Sequence, residues 1–233
     1  MELFLVGALR HKYLQEYGAQ LQEFLTSFKH KDENGLLRYI LYIPYGYKDY
    51  DCYFQATQRF FTTIGWANSL ISIHEYEKYN FKSPKEMLLN LSGIATILLD
   101  CHPEEGNIFR LLTKLQEEEL MEPMRNKIFN GVRLIAGDES MLLACPSIKT
   151  TNQTAIIMPK DFNGLSLLDF QLTTQNNSTI YHQENDLPVI QFSESNWLIV
   201  VNNQATLHGD GYAFVYQKGK ARSMALPGRQ LIY

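Results

Sequence analysis

Long apolar stretches are missing from this chain. Runs such as Ile94 to Leu99 are strand-sized, far below the roughly 20 residues that a membrane-crossing helix needs. Excess positive charge is also missing. A net charge of −4 leaves no electrostatic footprint for nucleic acid or an anionic membrane surface, and neither is expected as a partner. Cysteine is scarce: Cys52, Cys101 and Cys145 are an odd number at no metal-ligand spacing, which excludes a disulfide framework and fits a reduced, cytoplasmic protein. The opening Met1-Glu2-Leu3-Phe4-Leu5 puts an acid where a signal peptide carries base, so this segment reads as a first strand. Asn177-Ser178-Thr179 matches a glycosylation sequon, which a cytoplasmic protein would not use. Repeats and low-complexity tracts are absent.

What is there is ordinary globular material. With 233 residues, 45% hydrophobic and 20% charged, the chain suits one domain spanning 1–233. The first two-thirds alternate short β-type runs with amphipathic stretches. Strands are expected at Glu2–Val6, Leu37–Ile43, Ser69–His74, Ile94–Leu99 and Val132–Ala136, and helices at His11–Phe28, Asp51–Ile64, Asn107 to about Leu115 and Glu119–Phe129. Ser83 with Pro84 and Glu86 forms a capping-box start for a further short helix. This order predicts an α/β fold, a three-layer α/β/α sandwich on a mainly parallel sheet. After residue 145 the texture turns β-rich. Strands are expected at Leu165–Leu172, Val189–Phe192, Trp197–Val201 and Tyr212–Tyr216, joined by turns such as Asn176-Asn177 and extending the same sheet.

Two stretches carry a resemblance. Gly106-Asn107-Ile108-Phe109-Arg110-Leu111-Leu112 resembles the Gly-Gly-Gly-Asn-Thr-Phe-x-Leu-Leu signature of the peptidase E (aspartyl dipeptidase) family, which includes cyanophycinase. Ala144-Cys145-Pro146-Ser147-Ile148-Lys149-Thr150-Thr151-Asn152 resembles the run that follows the nucleophile in peptidase E. The resemblance implies a fold like that of class I glutamine amidotransferases and a serine nucleophile in Gly-x-Ser-x-Gly on a tight strand-to-helix turn. Counting back from Ala144, the matching segment is Ala136-Gly137-Asp138-Glu139-Ser140. Asp138 takes the serine's place and Ser140 that of the second glycine. Counting forward, the family acid corresponds to Gln153 and the family histidine to Gln175. No triad member is intact. Gln175 cannot shuttle a proton, and Gln153 carries no charge to support an imidazolium. Glu104 and Glu105 replace glycines before Gly106 and Asn107, and would oppose a developing oxyanion. The polar run after the family histidine, associated with the aspartyl substrate, is shortened here to Asn176–Asp186 and lacks arginine.

The expectation is therefore a catalytically inactive relative with a binding or regulatory role, its cleft lined by Glu104, Glu105, Gly106, Asn107, Asp138, Glu139 and Ser140. The alternative is a hydrolase working through rewired residues, with Asp138 or Ser140 as nucleophile. A third is a subunit that supports an active paralogue. A small peptide or small-molecule ligand and a homo-oligomer are the partners considered; no cofactor and no metal is assigned. Asp100, His102, Glu104, Glu105, Asp138 and Glu139 have the composition of a cation site, against which stands a solvated acidic surface. Cys145 reads as a buried structural thiol, and Cys101 beside His102 as a strand end rather than a nucleophile–base pair. The aromatic-rich stretch from Tyr39 to Phe54 reads mostly as packing, with Tyr45-Gly46-Tyr47 on a loop at the cleft edge.

Overall fold

The computed structural model describes residues 1–7, 14–26, 38–66, 69–102, 104–173, 186–191 and 193–231. In chain order the elements are β1 (Glu2–Val6), α1 (Leu14–Thr26), β2 (Tyr39–Ile43), α2 (Tyr50–Thr63), β3 (Leu70–Ser72), α3 (Pro84–Asn90), β4 (Ile94–Cys101), α4 (Ile108–Glu117), α5 (Met121–Phe129) and β5 (Arg133–Asp138). The C-terminal part adds β6 (Gln171–Thr173), β7 (Val189–Gln191), β8 (Asn196–Val201), β9 (Gln204–Gly209), β10 (Ala213–Tyr216) and β11 (Ser223–Ala225). Two 3-10 helices, Ile73–Tyr79 and Glu139–Ala144, follow β3 and β5.

Seven strands form the central sheet in the order β3-β2-β4-β5-β1-β8-β9. The five from β3 to β1 run parallel, and β8 and β9 close the far edge antiparallel. Side-chain alternation builds the layers. On β1, Leu3 and Leu5 join one core while Phe4 and Val6 join the other. The same split recurs on β5, where Leu134 and Ala136 face away from Ile135, and on β4, where Ile97 and Leu99 face away from Leu98. Tyr17, Leu21 and Leu25 of α1 and Phe54 and Phe61 of α2 fill one side; Leu88 of α3, Leu111, Leu112 and Leu115 of α4 and Met124 and Ile128 of α5 fill the other. This is the expected three-layer sandwich, and its central strands are continuous apolar runs because both faces are covered.

The caps follow local chemistry. Ser83 accepts the Glu86 N–H (3.1 Å) and Glu86 accepts the Lys82 N–H (2.6 Å) at the start of α3, a capping box whose acid reaches one residue further back. Asp49 caps α2 through the Cys52 N–H, and Asn107 caps α4 through the Arg110 N–H.

Three expectations are corrected. The strand expected over Ser69–His74 stops at Ser72, where the chain turns into a 3-10 helix. The strand expected over Leu165–Leu172 is reduced to Gln171–Thr173. Upstream, Leu165, Ser166, Leu167 and Leu168 donate their N–H groups to carbonyls of Leu143, Ala144 and Cys145, and Ser166 has a positive φ of 50°, so this segment is a loop laid over the Ala144 run. The late strands do not all extend one sheet: β8 and β9 do, whereas β11-β10-β7-β6 form a second, four-stranded sheet. β9 coincides with Ala205-Thr206-Leu207, which the family resemblance matches to a late strand, whereas β11 was not anticipated as a strand. The ends expected at His11, Phe28, Leu37 and Phe192, and the Asn176-Asn177 turn, lie outside the described residues.

Leu98, fully buried on β4, provides a test of the layer assignment. Leu98→Ala is expected to lower the unfolding free energy in urea by about 2–5 kcal/mol, against about 1 kcal/mol for loss of the half-buried cap in Ser83→Ala.

Candidate site at the carboxyl edge of the sheet

β5 ends at Asp138 in a backbone conformation of φ 54°, ψ −141°. A side chain is strained there, because Cβ crowds the neighbouring peptide groups. The 3-10 helix Glu139–Ala144 begins immediately after, so the strand turns sharply into a helix at this residue. Asp138, Glu139 and Ser140 are all buried, at 4%, 6% and 0% exposure. The solvated acidic surface expected for the cleft acids is thus corrected at Asp138 and Glu139, which are buried. β5 is flanked by β4 and β1, and the carboxyl end of a central strand is enclosed by its neighbours. The Ser140 hydroxyl donates to the Gly137 carbonyl at 2.7 Å, a local bond that leaves it buried and away from any opening.

Cys101 pairs with Asp138 across β4 and β5. Burial pushes its thiol well up, and the carboxylates of Asp100, Glu139 and Asp138 add to that push. Burial likewise pushes Cys145 up to about 12. Both are the inert thiols of a core. Two glycines close over Cys101: a Cβ at Gly46 would stand 3.0 Å from its sulfur, and one at Gly106 3.1 Å from it and 3.0 Å from the His102 carbonyl. The Asn107 N–H donates to the Gly46 carbonyl at 2.9 Å, which ties the Tyr45-Gly46-Tyr47 loop to the start of α4. The Tyr47 hydroxyl donates to Asp100 Oδ2 (2.8 Å) and accepts the His102 N–H (3.0 Å). Its ring stacks on Tyr53 with centroids 3.6 Å apart, and the Tyr53 hydroxyl donates to Glu105.

The run from Ala144 to Asn152 wires these parts together. Leu172 of β6 donates its N–H to Cys145 Sγ (3.3 Å), and Thr150 donates to the Leu172 carbonyl (2.7 Å). Thr151 donates to Glu139 Oε2 (2.7 Å) and accepts the Gln153 N–H (3.1 Å). Gln153 then reaches the amino end of α4: its Oε1 accepts the Ile108 N–H at 2.7 Å and its Nε2 donates to the Gly106 carbonyl at 3.3 Å. The Asn107 amide donates to the Thr154 carbonyl (3.1 Å). Glu104, Glu105, Gly106, Asn107 and Gln153, with Lys48 and Arg110, line an opening of about 360 Å³. Four of the residues expected at the cleft meet here. Asp138, Glu139 and Ser140 are buried instead, on the strand end beside Cys101. Gln175 lies outside the described residues.

The cleft acids do not gather as a ligand set. Among the described residues, the one group of three donor atoms within 4.8 Å of one another is Asp51, His74 and Glu75, away from Asp138 in the strand order. Tyr47 was expected on a loop at the cleft edge and Asp100 among the acids weighed as a cation site, but the hydrogen bond between them was not foreseen, and Thr151 was missed as part of the site. Their positions follow from register, since β2 pairs β4 up to Ile43 and Leu99, and tyrosine frequency alone gives no hint of it.

The comparison with known families decides the identity of this scaffold: the model of peptidase family S51 matches residues 3–211. The chain belongs to that family. It is 24% identical over 227 residues to a peptidase E of Nostoc sp., covering 88% of each chain. It is 30% identical over 131 residues to a peptidase E of Salmonella paratyphi A, covering 49% of this chain and 57% of that one. Two solved structures share the S51 fold. One is of a peptidase E candidate from Listeria monocytogenes EGD-e (TM-score 0.56, 16% identity, 90% of this chain and 98% of that one). The other is of a peptidase from an acI-B1 actinobacterium (TM-score 0.58, 14% identity, 100% and 96%). Among the described residues no helix is long and apolar enough to cross a membrane.

Two measurements follow. Because the bend at residue 138 is strained, Asp138→Gly is expected to be more stable than Asp138→Ala by about 1–3 kcal/mol in denaturant unfolding, since glycine alone relaxes there. A thiol reagent at about pH 8 should modify Cys52 alone in the native protein and all three cysteines after denaturation; fast native labelling of Cys101 would contradict the closed strand end.

Proposed function

We propose that this S51 protein is a pseudoenzyme: a peptidase E scaffold without acyl-transfer chemistry, retained to bind a small peptide or small molecule in the opening beside α4. The observation that carries the reading is the strained bend with aspartate on it. Aligned through the Ala144–Asn152 run, Asp138 stands at the nucleophile position, and the positive φ supports that alignment because such a turn is how this kind of fold presents a nucleophile. A carboxylate there is a poor nucleophile toward an amide.

The remaining positions support the same reading. Gln153 stands at the position of the family acid, and its amide is engaged as a cap on α4. Gln175 stands at the histidine position by sequence count. Loss of one triad member removes most of the rate, and loss of the others adds little. Asp100, Asp138 and Glu139 all bear on Cys101, so the floor of the site is lined by acids, whose charged forms would oppose an oxyanion. The opening, by contrast, presents Lys48 and Arg110 together with Glu104 and Glu105, which suits a zwitterionic ligand such as a short peptide.

The test is purified protein assayed with aspartyl dipeptides and with a fluorophosphonate probe. Neither turnover nor labelling is expected from the wild type. Turnover that survives rigorous purification and vanishes in Asp138→Ala would replace this reading with that of a hydrolase using a rewired nucleophile.

A further inference from the structure

A second constellation lies at the same edge of the sheet, beyond β3, and plays no part in the reading above. His74 follows β3 by two residues, in the first turn of the 3-10 helix Ile73–Tyr79. Its Nδ1 lies 2.6 Å from the Ser72 hydroxyl and its Nε2 3.1 Å from Asp51 Oδ1, in the first turn of α2. The ring is further held by Tyr50 and Phe54, with centroids 5.6 and 5.9 Å away. Glu75 is adjacent, and the three donor atoms of Asp51, His74 and Glu75 lie within 4.8 Å of one another.

Ser72, His74 and Asp51 have the composition of a hydrolytic relay, but Ser72 is fully buried and its hydroxyl also faces the Tyr42 carbonyl at 3.5 Å. No substrate carbonyl can reach it. What Ser72 does is fix the imidazole through Nδ1, leaving Nε2 to face the Asp51 carboxylate, with the Glu75 carboxylate close by. That is the arrangement of an oriented metal-binding histidine: one ring nitrogen is held by a neighbour, and the other is aimed at the ligand. The spacing also fits. Donors at about 2.0–2.1 Å from a tetrahedral Zn²⁺ stand roughly 3.3 Å apart, close to the 3.1 Å between His74 Nε2 and Asp51 Oδ1. Glu75 is bound by Lys78, whose side chain is 71% exposed, so the ammonium can swing into solvent and release the carboxylate. Asp51, Glu75 and Lys78 border a solvent-filled cavity of about 330 Å³, lined also by Gln55 and Gln58, which gives a cation access to the two carboxylates.

We propose that Asp51, His74 and Glu75 form a site for a divalent transition cation, Zn²⁺ or one of the same N/O-preferring class, with Lys78 as the counter-ion it displaces. The cation would clamp the first turn of α2 to the segment after β3.

The experiment is calorimetric titration of untagged, chelator-treated full-length protein with Zn²⁺, repeated with Co²⁺ to read its d–d absorption. One equivalent of saturable binding is expected. Binding should weaken at least ~10-fold in His74→Gln and in Asp51→Asn; the second is a surface change that tests the site independently of the packed ring. Lys78→Met should bind more tightly than the wild type, and Cys52→Ser, beside Asp51 in sequence, should bind as the wild type does. No saturable binding by the wild type, undiminished binding by the His74 and Asp51 variants, or loss of binding in Cys52→Ser would overturn the site; a Lys78→Met variant no tighter than the wild type would overturn the displacement.

Discussion

One backbone angle organises this edge of the molecule. At Asp138 the chain leaves the central strand with a positive φ, a conformation that costs an L-residue on the order of 1–3 kcal/mol. Such strain persists only where the surroundings over-determine it. Here they do: the strand before the bend is locked between β4 and β1, and the helix after it is held by the Thr151–Glu139 bond and by the loop at 165–168. The bend therefore survives as a consequence of the fold around it, whatever side chain it presents.

That rigidity explains how a catalytic geometry can outlast its chemistry, on the proposed reading. Thr151 joins the residue after the bend to the Gln153 backbone, and the Gln153 side chain joins α4. The same connections that would align an acid with a nucleophile here brace a helix end. The first turn of a helix has N–H groups without intrahelical partners, and an amide oxygen accepts one while its nitrogen reaches the Gly106 carbonyl. The position has acquired a structural use for which charge is unnecessary.

The layers were legible in the sequence because their cause is periodic. Alternation on β1, β4 and β5 and the apolar stripes of α1 and α4 dictate which face each residue meets, and the capping pattern at Ser83 marks its helix without reference to anything distant. Burial of Asp138 and Glu139 was not legible. Acidic residues read as solvated, and only the central place of β5 in the sheet order encloses them. The failure over residues 165–170 has a similar origin: Leu165, Leu167 and Leu168 are apolar enough for a strand, but they are buried against the Ala144 run through loop hydrogen bonds rather than a ladder. Nor could spacing reveal that His74 meets Asp51, since the pair is joined only when β3 is laid beside β2.

The distribution of charge bears on which changes at the site are consequential. Asp138 stands with Glu139 and Asp100 around one buried thiol. Acids so close together oppose one another's ionisation, and any that is charged would oppose an oxyanion. A serine at 138 alone would leave Asp100 bonded to Tyr47 and Glu139 bonded to Thr151, and would leave the Gln153 amide on α4. An aspartate in place of Gln153 is one methylene shorter and would draw its oxygens back from the Ile108 N–H. Residue 138, residue 153 and the start of α4 are thus coupled through Glu139, Thr151 and Gln153, and a change at one position works against the packing at the others.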